Sequence, residues 1–198
     1  MGTELEFKLA VREPTQLAEI LTDQEVAALC GPWREIKMVT TYFDTPSRAL
    51  SARKWMLRRR SEGGRSVVCL KVPLEHHLRS EWEIAASCIN AGTLQHLADA
   101  GAPAELLSLC NEGLLPVCGA KFLRRAAMLH FPDGSRAELA GDHGVLLGNT
   151  QELPFTEVEL ELYGGSPAAM QALADELCRR YGLYEEPLSK FARAKRLK

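Results

Sequence analysis

Nowhere in the 198 residues do the 18 or so consecutive apolar side chains needed by a membrane-spanning helix occur together. The first residues, Met1-Gly2-Thr3-Glu4-Leu5-Glu6, also lack the basic start and apolar run of a secretory leader. Gly2 is not followed by the Ser or Thr that an N-myristoylation signal requires, because Glu6 occupies that position. No membrane association is therefore expected. Excess charge is missing too: 24 Lys and Arg face 26 Asp and Glu, a formal net charge of −2. A chain so balanced does not present a basic surface to nucleic acid, so any anion site must be local. The six cysteines (Cys30, Cys69, Cys88, Cys110, Cys118 and Cys178) contain no CxxC and no Cys/His metal spacing. They read as reduced core thiols of a cytoplasmic protein. Repeats, low-complexity tracts and long linkers are likewise missing, which predicts one domain over residues 1–198.

What is present is period-two alternation, the signature of strands. It predicts strands at Thr3–Arg12, Ile36–Phe43, Lys54–Arg60, Ser66–Val72, Arg79–Ala85, Phe122–Phe131, Ser135–Ala140 and Phe155–Tyr163. Gly63-Gly64 and Pro132-Asp133-Gly134 read as hairpin turns, making most neighbours antiparallel. Helices are predicted at Pro14–Leu29, Thr93–Ala100, Ala104–Cys110 and Pro167–Tyr181. The last carries Ser166 as N-cap, Pro167 in the first turn and Gly182 as stop. The class is α+β, dominated by an antiparallel sheet.

The polar faces of these strands are unusual. Glu4, Glu6, Lys8 and Arg12 alternate with Leu5, Phe7, Leu9 and Val11, while Glu157, Glu159 and Glu161 alternate with Val158, Leu160 and Leu162. Like charges two residues apart repel unless cations lie between them. Arg58, Arg60, Lys71, Arg79 and Arg124 supply cations, and Glu81, Glu83, Glu138 and Asp142 add acids at equivalent positions. A sheet curled into a barrel would send all of these into one lumen. Each ion enclosed there carries a desolvation penalty of several kcal/mol, so stability alone does not explain the pattern. A divalent cation on the carboxylates and a polyanion on the Arg/Lys set would satisfy both halves.

Those residues resemble the CYTH domain, shared by class IV adenylate cyclases, thiamine triphosphatases and the wider triphosphate tunnel metalloenzymes. Glu4-Leu5-Glu6-Phe7-Lys8 matches its ExExK motif. Tyr42-Phe43-Asp44-Thr45, Leu57-Arg58-Arg59-Arg60, Leu70-Lys71, Arg79-Ser80-Glu81-Trp82-Glu83, Glu157-Val158-Glu159-Leu160-Glu161 and Leu188-Ser189-Lys190-Phe191-Ala192-Arg193 follow in the family's order across the chain. The resemblance implies an eight-stranded antiparallel β-barrel, a triphosphate tunnel with helices packed outside. It is strongest to bacterial inorganic triphosphatases, without the helical CHAD domain that often follows. The family's Asp-x-Gly turn corresponds to Asp142-His143-Gly144, although Gly141 stands where an apolar residue is usual. Of the adjacent Arg124 and Arg125, Arg124 is expected inward, by alternation with Phe122 and by its place in the resemblance.

The resemblance further implies hydrolysis of inorganic triphosphate to diphosphate and phosphate. Lys8, Arg58, Arg60, Lys71, Arg124 and Lys190 would bind the phosphates, guanidinium groups bidentately and ammonium groups as point charges. Mg²⁺ or Mn²⁺ would be held by Glu4, Glu6, Glu157 and Glu159, with Glu161 at the tunnel edge. Glu81 or Glu159 would position the attacking water. Thiamine triphosphatase, nucleoside triphosphatase and class IV adenylate cyclase share this clamp and remain alternatives, as does a polyphosphate-binding module with little turnover. The expected state is a monomer or homodimer. Glu83 with Arg79 could equally form a salt bridge that only shapes the tunnel. None of the five histidines is expected to bind metal, and Trp33, Trp55 and Trp82 are expected to pack.

Overall fold

A computed structural model describes residues 2–74 and 79–197, the side chains of residues 2–4 excepted. His76 and His77 lie outside the described residues. The elements run β1 (Gly2–Glu4), β2 (Glu6–Ala10), α1 (Pro14–Leu21), α2 (Gln24–Leu29), β3 (Arg34–Asp44), α3 (Ala49–Ala52), β4 (Met56–Glu62), β5 (Arg65–Pro73) and β6 (Arg79–Ala85). There follow α4 (Ala91–Asp99), α5 (Glu105–Leu109), β7 (Leu115–His130), β8 (Arg136–Leu147), β9 (Glu152–Gly164), α6 (Pro167–Tyr181), β10 (Tyr184–Glu185) and α7 (Lys190–Ala194). None of these helices is long and apolar enough to cross a membrane.

All strand pairs are antiparallel, in the order β1-β6-β5-β4-β3-β7-β8-β9-β2-β10. Only Leu5 separates β1 from β2, and its carbonyl accepts from Leu162 N at 2.9 Å. One N-terminal strand thus pairs with β6 through Gly2–Glu4 and with β9 through Glu6–Ala10. The two ends of the sheet meet there, and the sheet curls around a bore. Counting that strand once and setting aside the two-residue β10, eight strands form the wall, as expected.

Alternation then decides which side chains enter the bore. The outward set builds two cores. Leu17, Ile20 and Leu21 of α1 and Met170, Leu173 and Leu177 of α6 pack on Leu9, Leu139, Val158 and Leu160. Leu94, Leu97 and Leu106 cover Leu57, Val68, Leu70 and Trp82 on the other flank. Burying each such aliphatic side chain is worth about 1.5–3 kcal/mol, so the helices fix the curvature of the sheet from outside. Trp55 and Trp82 are core residues, and Trp33 packs beside the first core under the Arg125 guanidinium, 5.6 Å away. Arg125 therefore points outward and Arg124 inward.

One end of the bore is apolar rather than wet. Met38, Tyr42, Met56, Phe122, Leu146 and Phe155 cluster there, and Phe191 and Ala194 of α7 pack onto them. Tyr42 and Phe191 rings lie 5.0 Å apart. Ser189 caps this short helix by accepting from Ala192 N at 3.1 Å. The strand β3 ends beside it in a loop organised by buried Asp44, whose carboxylate accepts from the backbone of Thr45, Leu50 and Ser51 at 2.8, 3.1 and 3.2 Å.

Several sequence expectations need correction. The predicted helix Pro14–Leu29 is two helices, because Asp23 accepts from Glu25 N and Val26 N and starts α2. Arg12 lies beyond the end of β2, exposed to solvent, and does not enter the bore. Cys88 is exposed, and Cys30 and Cys178 are only half-buried, so the six free thiols are not uniformly core. Asp142-His143-Gly144 is no turn but continuous strand in β8. A Cβ at Gly144 would lie 2.1 Å from the Lys121 carbonyl oxygen, so glycine there lets β7 pass closely. At Gly141 a Cβ would meet Leu17 and Leu21 within 3 Å, which explains the missing apolar side chain: α1 rests directly on that backbone. Gly144→Ala should push the two strands apart and cost about 1–3 kcal/mol or more; urea unfolding checks this, with wild-type stability counting against the close approach.

Candidate active site

The bore contains a cavity of about 790 Å³. Its wall includes Glu6 and Lys8 of β2, Arg58 and Arg60 of β4, Lys71 of β5 and Glu81 and Glu83 of β6. Arg124 of β7, Glu159 and Glu161 of β9 and Lys190 of α7 also line it. Every expected phosphate-binding residue thus borders one space. Of the expected carboxylates, Glu6, Glu159 and Glu161 line it too. Glu157 lies fully buried at its base, and the side chain of Glu4 falls outside the described set.

Two ionic groups stand on opposite sides of the strand ring. In the first, the Glu81 carboxylate meets Lys71 Nζ at 3.2 Å and Arg58 Nη2 at 3.6 Å, and accepts from Cys69 Sγ at 2.8 Å. Burial opposes ionisation of Glu81, but Lys71, Arg58 and the thiol donor override it and hold the carboxyl at about 2. Burial pushes the Cys69 thiol up to about 12. Arg60 reaches Glu62 at 2.9 Å and Glu83 at 3.1 Å. Glu83 therefore pairs with Arg60 rather than with Arg79, which borders the cavity separately.

The second group is deeper. Lys190 Nζ lies 2.7 Å from Asp142 Oδ2 and 2.7 Å from Glu159 Oε1, and it also pairs with Glu157. Arg124 holds Asp142 bidentately at 2.8 and 2.7 Å and pairs with Glu159. Arg193 pairs with Glu157 from below. Lys8 bridges toward this group, 3.1 Å from Glu6 and 4.0 Å from Glu159. Burial disfavours the Glu159 anion, yet Lys190, Arg124 and Lys8 hold its carboxyl well below the usual range. At neighbouring Glu157 burial wins over Lys190 and Arg193, and its carboxyl is raised.

Among the described residues, two groups of side chains bring ligand atoms close enough to share a cation: Cys69, Glu81 and Glu83, and Asp142, Glu157 and Glu159. The second offers only carboxylate oxygens, the donor set of Mg²⁺ or Mn²⁺. The first includes a thiol whose deprotonation is strongly disfavoured, so it suits such an ion less well. No histidine belongs to either group among the described residues.

Some wall residues escaped the sequence reading. Arg34, exposed at the mouth and 2.6 Å from Glu138, precedes the predicted start of its strand but shares parity with Ile36 and Met38. Tyr163 lines the mouth beside it. Cys69 shares parity with Lys71, a signal that was legible but carried no charge to draw notice. Arg193 lies in the C-terminal motif, and nothing local announces that it reaches Glu157.

The sequence model of the CYTH domain family matches residues 2–194. Among solved structures, HpAC1 of Hippeastrum, described as an adenylyl cyclase candidate with a dominant triphosphatase activity, superposes with TM-score 0.61 at 19% identity over 97% of this chain and 95% of its own. An adenylate cyclase candidate of Bacillus halodurans gives 0.60 at 18% identity, covering 96% of both chains. The PH1819 protein of Pyrococcus horikoshii gives 0.59 at 17% identity over 96% of this chain and 97% of its own. At these identities the likeness establishes the shared fold.

The Glu81 environment sets a pH dependence. An unfolded chain protonates this carboxyl near 4.5, the folded chain only near 2. The unfolded state takes the proton first, so Glu81 adds stability above 4.5, and that contribution is lost as pH falls from 4.5 toward 2. Urea unfolding followed between about pH 6 and about pH 3 should show a shallower acid loss in Glu81→Gln than in wild type; parallel profiles would contradict the assigned environment.

Proposed function

Because this chain belongs to the CYTH domain family, we propose that it is a metal-dependent triphosphatase whose substrate is inorganic triphosphate, cleaved to diphosphate and phosphate. The observation that carries this reading is the convergence of Lys8, Arg58, Arg60, Lys71, Arg124 and Lys190 on one cavity above an all-oxygen carboxylate group. Triphosphate is a compact tetra-anion near neutral pH, and its hydrolysis needs positioning and charge stabilisation more than covalent chemistry from the protein. The Hippeastrum neighbour's described triphosphatase activity supports hydrolysis over cyclisation.

In this reading Arg58, Arg60 and Arg124 grip phosphate oxygens with planar donors while the three lysines act as point charges. Glu157 and Glu159, with Asp142 beside them and Glu6 and Glu161 on the cavity wall, would hold Mg²⁺ or Mn²⁺, and the ExExK resemblance adds Glu4 to that set. Such an ion supplies neutralisation of phosphate charge and polarisation of the scissile bond. Glu81 and Glu159 are both strongly stabilised as anions, so either suits a residue that orients a water by accepting its proton in a hydrogen bond. Neither suits a strong proton acceptor, because a base of such low pKa has little driving force. The chain would act as a single CYTH unit in the cytoplasm.

The test is a panel of triphosphate, thiamine triphosphate, ATP and longer polyphosphate against Mg²⁺ and Mn²⁺, with released phosphate as the readout. Triphosphate should be cleaved best, and more readily at alkaline than at acid pH, since the metal-holding carboxylates must be ionised. Efficient cleavage of another triphosphate compound without release from triphosphate would overturn the substrate assignment. Arg58→Lys should lower kcat/KM on the order of tenfold or more, because an ammonium cannot reproduce the two-pronged contact. Glu6→Ala should lose metal-dependent turnover while its circular dichroism matches wild type; retained turnover would remove Glu6 from the metal-holding set.

A further inference from the structure

The three carboxylates Asp142, Glu157 and Glu159 already surround a cation. Lys190 Nζ contacts all three, and its side chain is only 9% exposed. The ammonium is thus placed where a small divalent ion sharing those oxygens would be. The fit is incomplete on the carboxylate side. Glu157 Oε1 is fully buried and meets Lys190 as an ion pair, yet receives no aligned hydrogen bond. A tetrahedral ammonium has three protons to share, whereas a metal ion accepts oxygen ligands from any of six directions.

We propose that Lys190 is an exchangeable internal counter-ion: in the metal-free protein it occupies the carboxylate group, and a divalent cation displaces it into the cavity, where it becomes a phosphate ligand. This rests on the metal-dependent reading above and extends it by coupling the two binding events. Once displaced, the ammonium cannot stay buried and unpaired without a large desolvation penalty. It has somewhere to go, because Ser189 and Lys190 both border the cavity.

The anchoring of α7 lets the exchange be a side-chain movement. Phe191 packs on Tyr42, and Lys195 reaches Ser51. Arg193 stays on Glu157 and Glu186. Gly148 leaves room for Leu197, since a Cβ there would lie 2.3 Å from the Leu197 Cβ. The helix is thus held at both ends, so the exchange asks only the Lys190 side chain to turn. Metal alone must pay for the eviction, but metal followed by polyanion replaces every contact that Lys190 gives up. The expected consequence is that metal occupancy strengthens anion binding through this one residue.

The test is Mn²⁺ binding, measured by electron paramagnetic resonance without any phosphate compound, in wild type, Lys190→Met and Lys71→Met. Removing an internal competitor should tighten Mn²⁺ binding about tenfold or more in Lys190→Met. Lys71→Met removes the same charge from the same cavity, away from the group, and should change binding much less. Equal tightening in the two variants would reduce the effect to general electrostatics and overturn the exchange. A second readout uses unaltered protein: acetylation by an N-hydroxysuccinimide ester, mapped by mass spectrometry. Lys190 should be protected without metal and modified faster with Mn²⁺. If Mn²⁺ binds while Lys190 stays equally protected, the exchange is wrong but the metal reading stands. If no variant binds Mn²⁺, both fail.

Discussion

Enclosing ions of both signs in one bore is the constraint on which the rest depends. Each carboxylate and each cation inside loses hydration, at an effective cost of several kcal/mol, and recovers it only if partners arrive with good geometry. The sheet solves this by register. Glu159 lies beside Lys8 on the neighbouring strand, and Arg124 lies beside Asp142 on the next pair. Lys71 is likewise directly opposite Glu81. At these positions backbone pairing and charge pairing coincide, and a one-residue slip would break both; where the register sets acid opposite acid, as at Asp142 and Glu157, Lys190 of the C-terminal helix supplies the cation.

The two ionic groups differ in what they are prepared to do. The Glu81 group pairs one carboxylate with two cations and a thiol donor, and it suits a wall that positions. The Asp142, Glu157 and Glu159 group gathers three carboxylates around one ammonium, leaves Glu157 Oε1 without an aligned hydrogen bond, and is closed from beneath by a helix that brings two cations. Its neighbouring glutamates are pushed in opposite directions: at Glu157 burial and the Glu159 charge outweigh Lys190, Arg193 and Lys8, whereas at Glu159 Lys190, Arg124 and Lys8 outweigh burial. An environment that separates neighbouring carboxyls in this way is characteristic of functional sites more than of scaffolds.

Much of the fold was legible in the chain. Helix α6 runs over the predicted Pro167–Tyr181, because Ser166, Pro167 and Gly182 are unambiguous local signals. The charged faces of β2, β6 and β9 were readable from parity alone, and parity with Phe122 correctly sent Arg124 inward. Other parts were not legible. The strand β8 continues from Gly141 to Leu147, where glycines and aliphatics erase the alternation. Helices α3 and α7 are too short to display a helical period, and their stability comes from packing rather than propensity.

What the sequence by itself determined is which residues share a face, since the two-residue repeat of a strand is local and needs no knowledge of neighbours. It also determined family membership, through ordered motifs spanning the chain. Only the tertiary structure decided which faces meet: that Arg12 drops out past a strand end, that Cys69 joins Glu81, and that Lys190 arrives from the far end of the chain among three carboxylates. Those contacts depend on sheet order and curvature, which are set by helices packed outside the barrel, and no local pattern of residues encodes a distance across a bore.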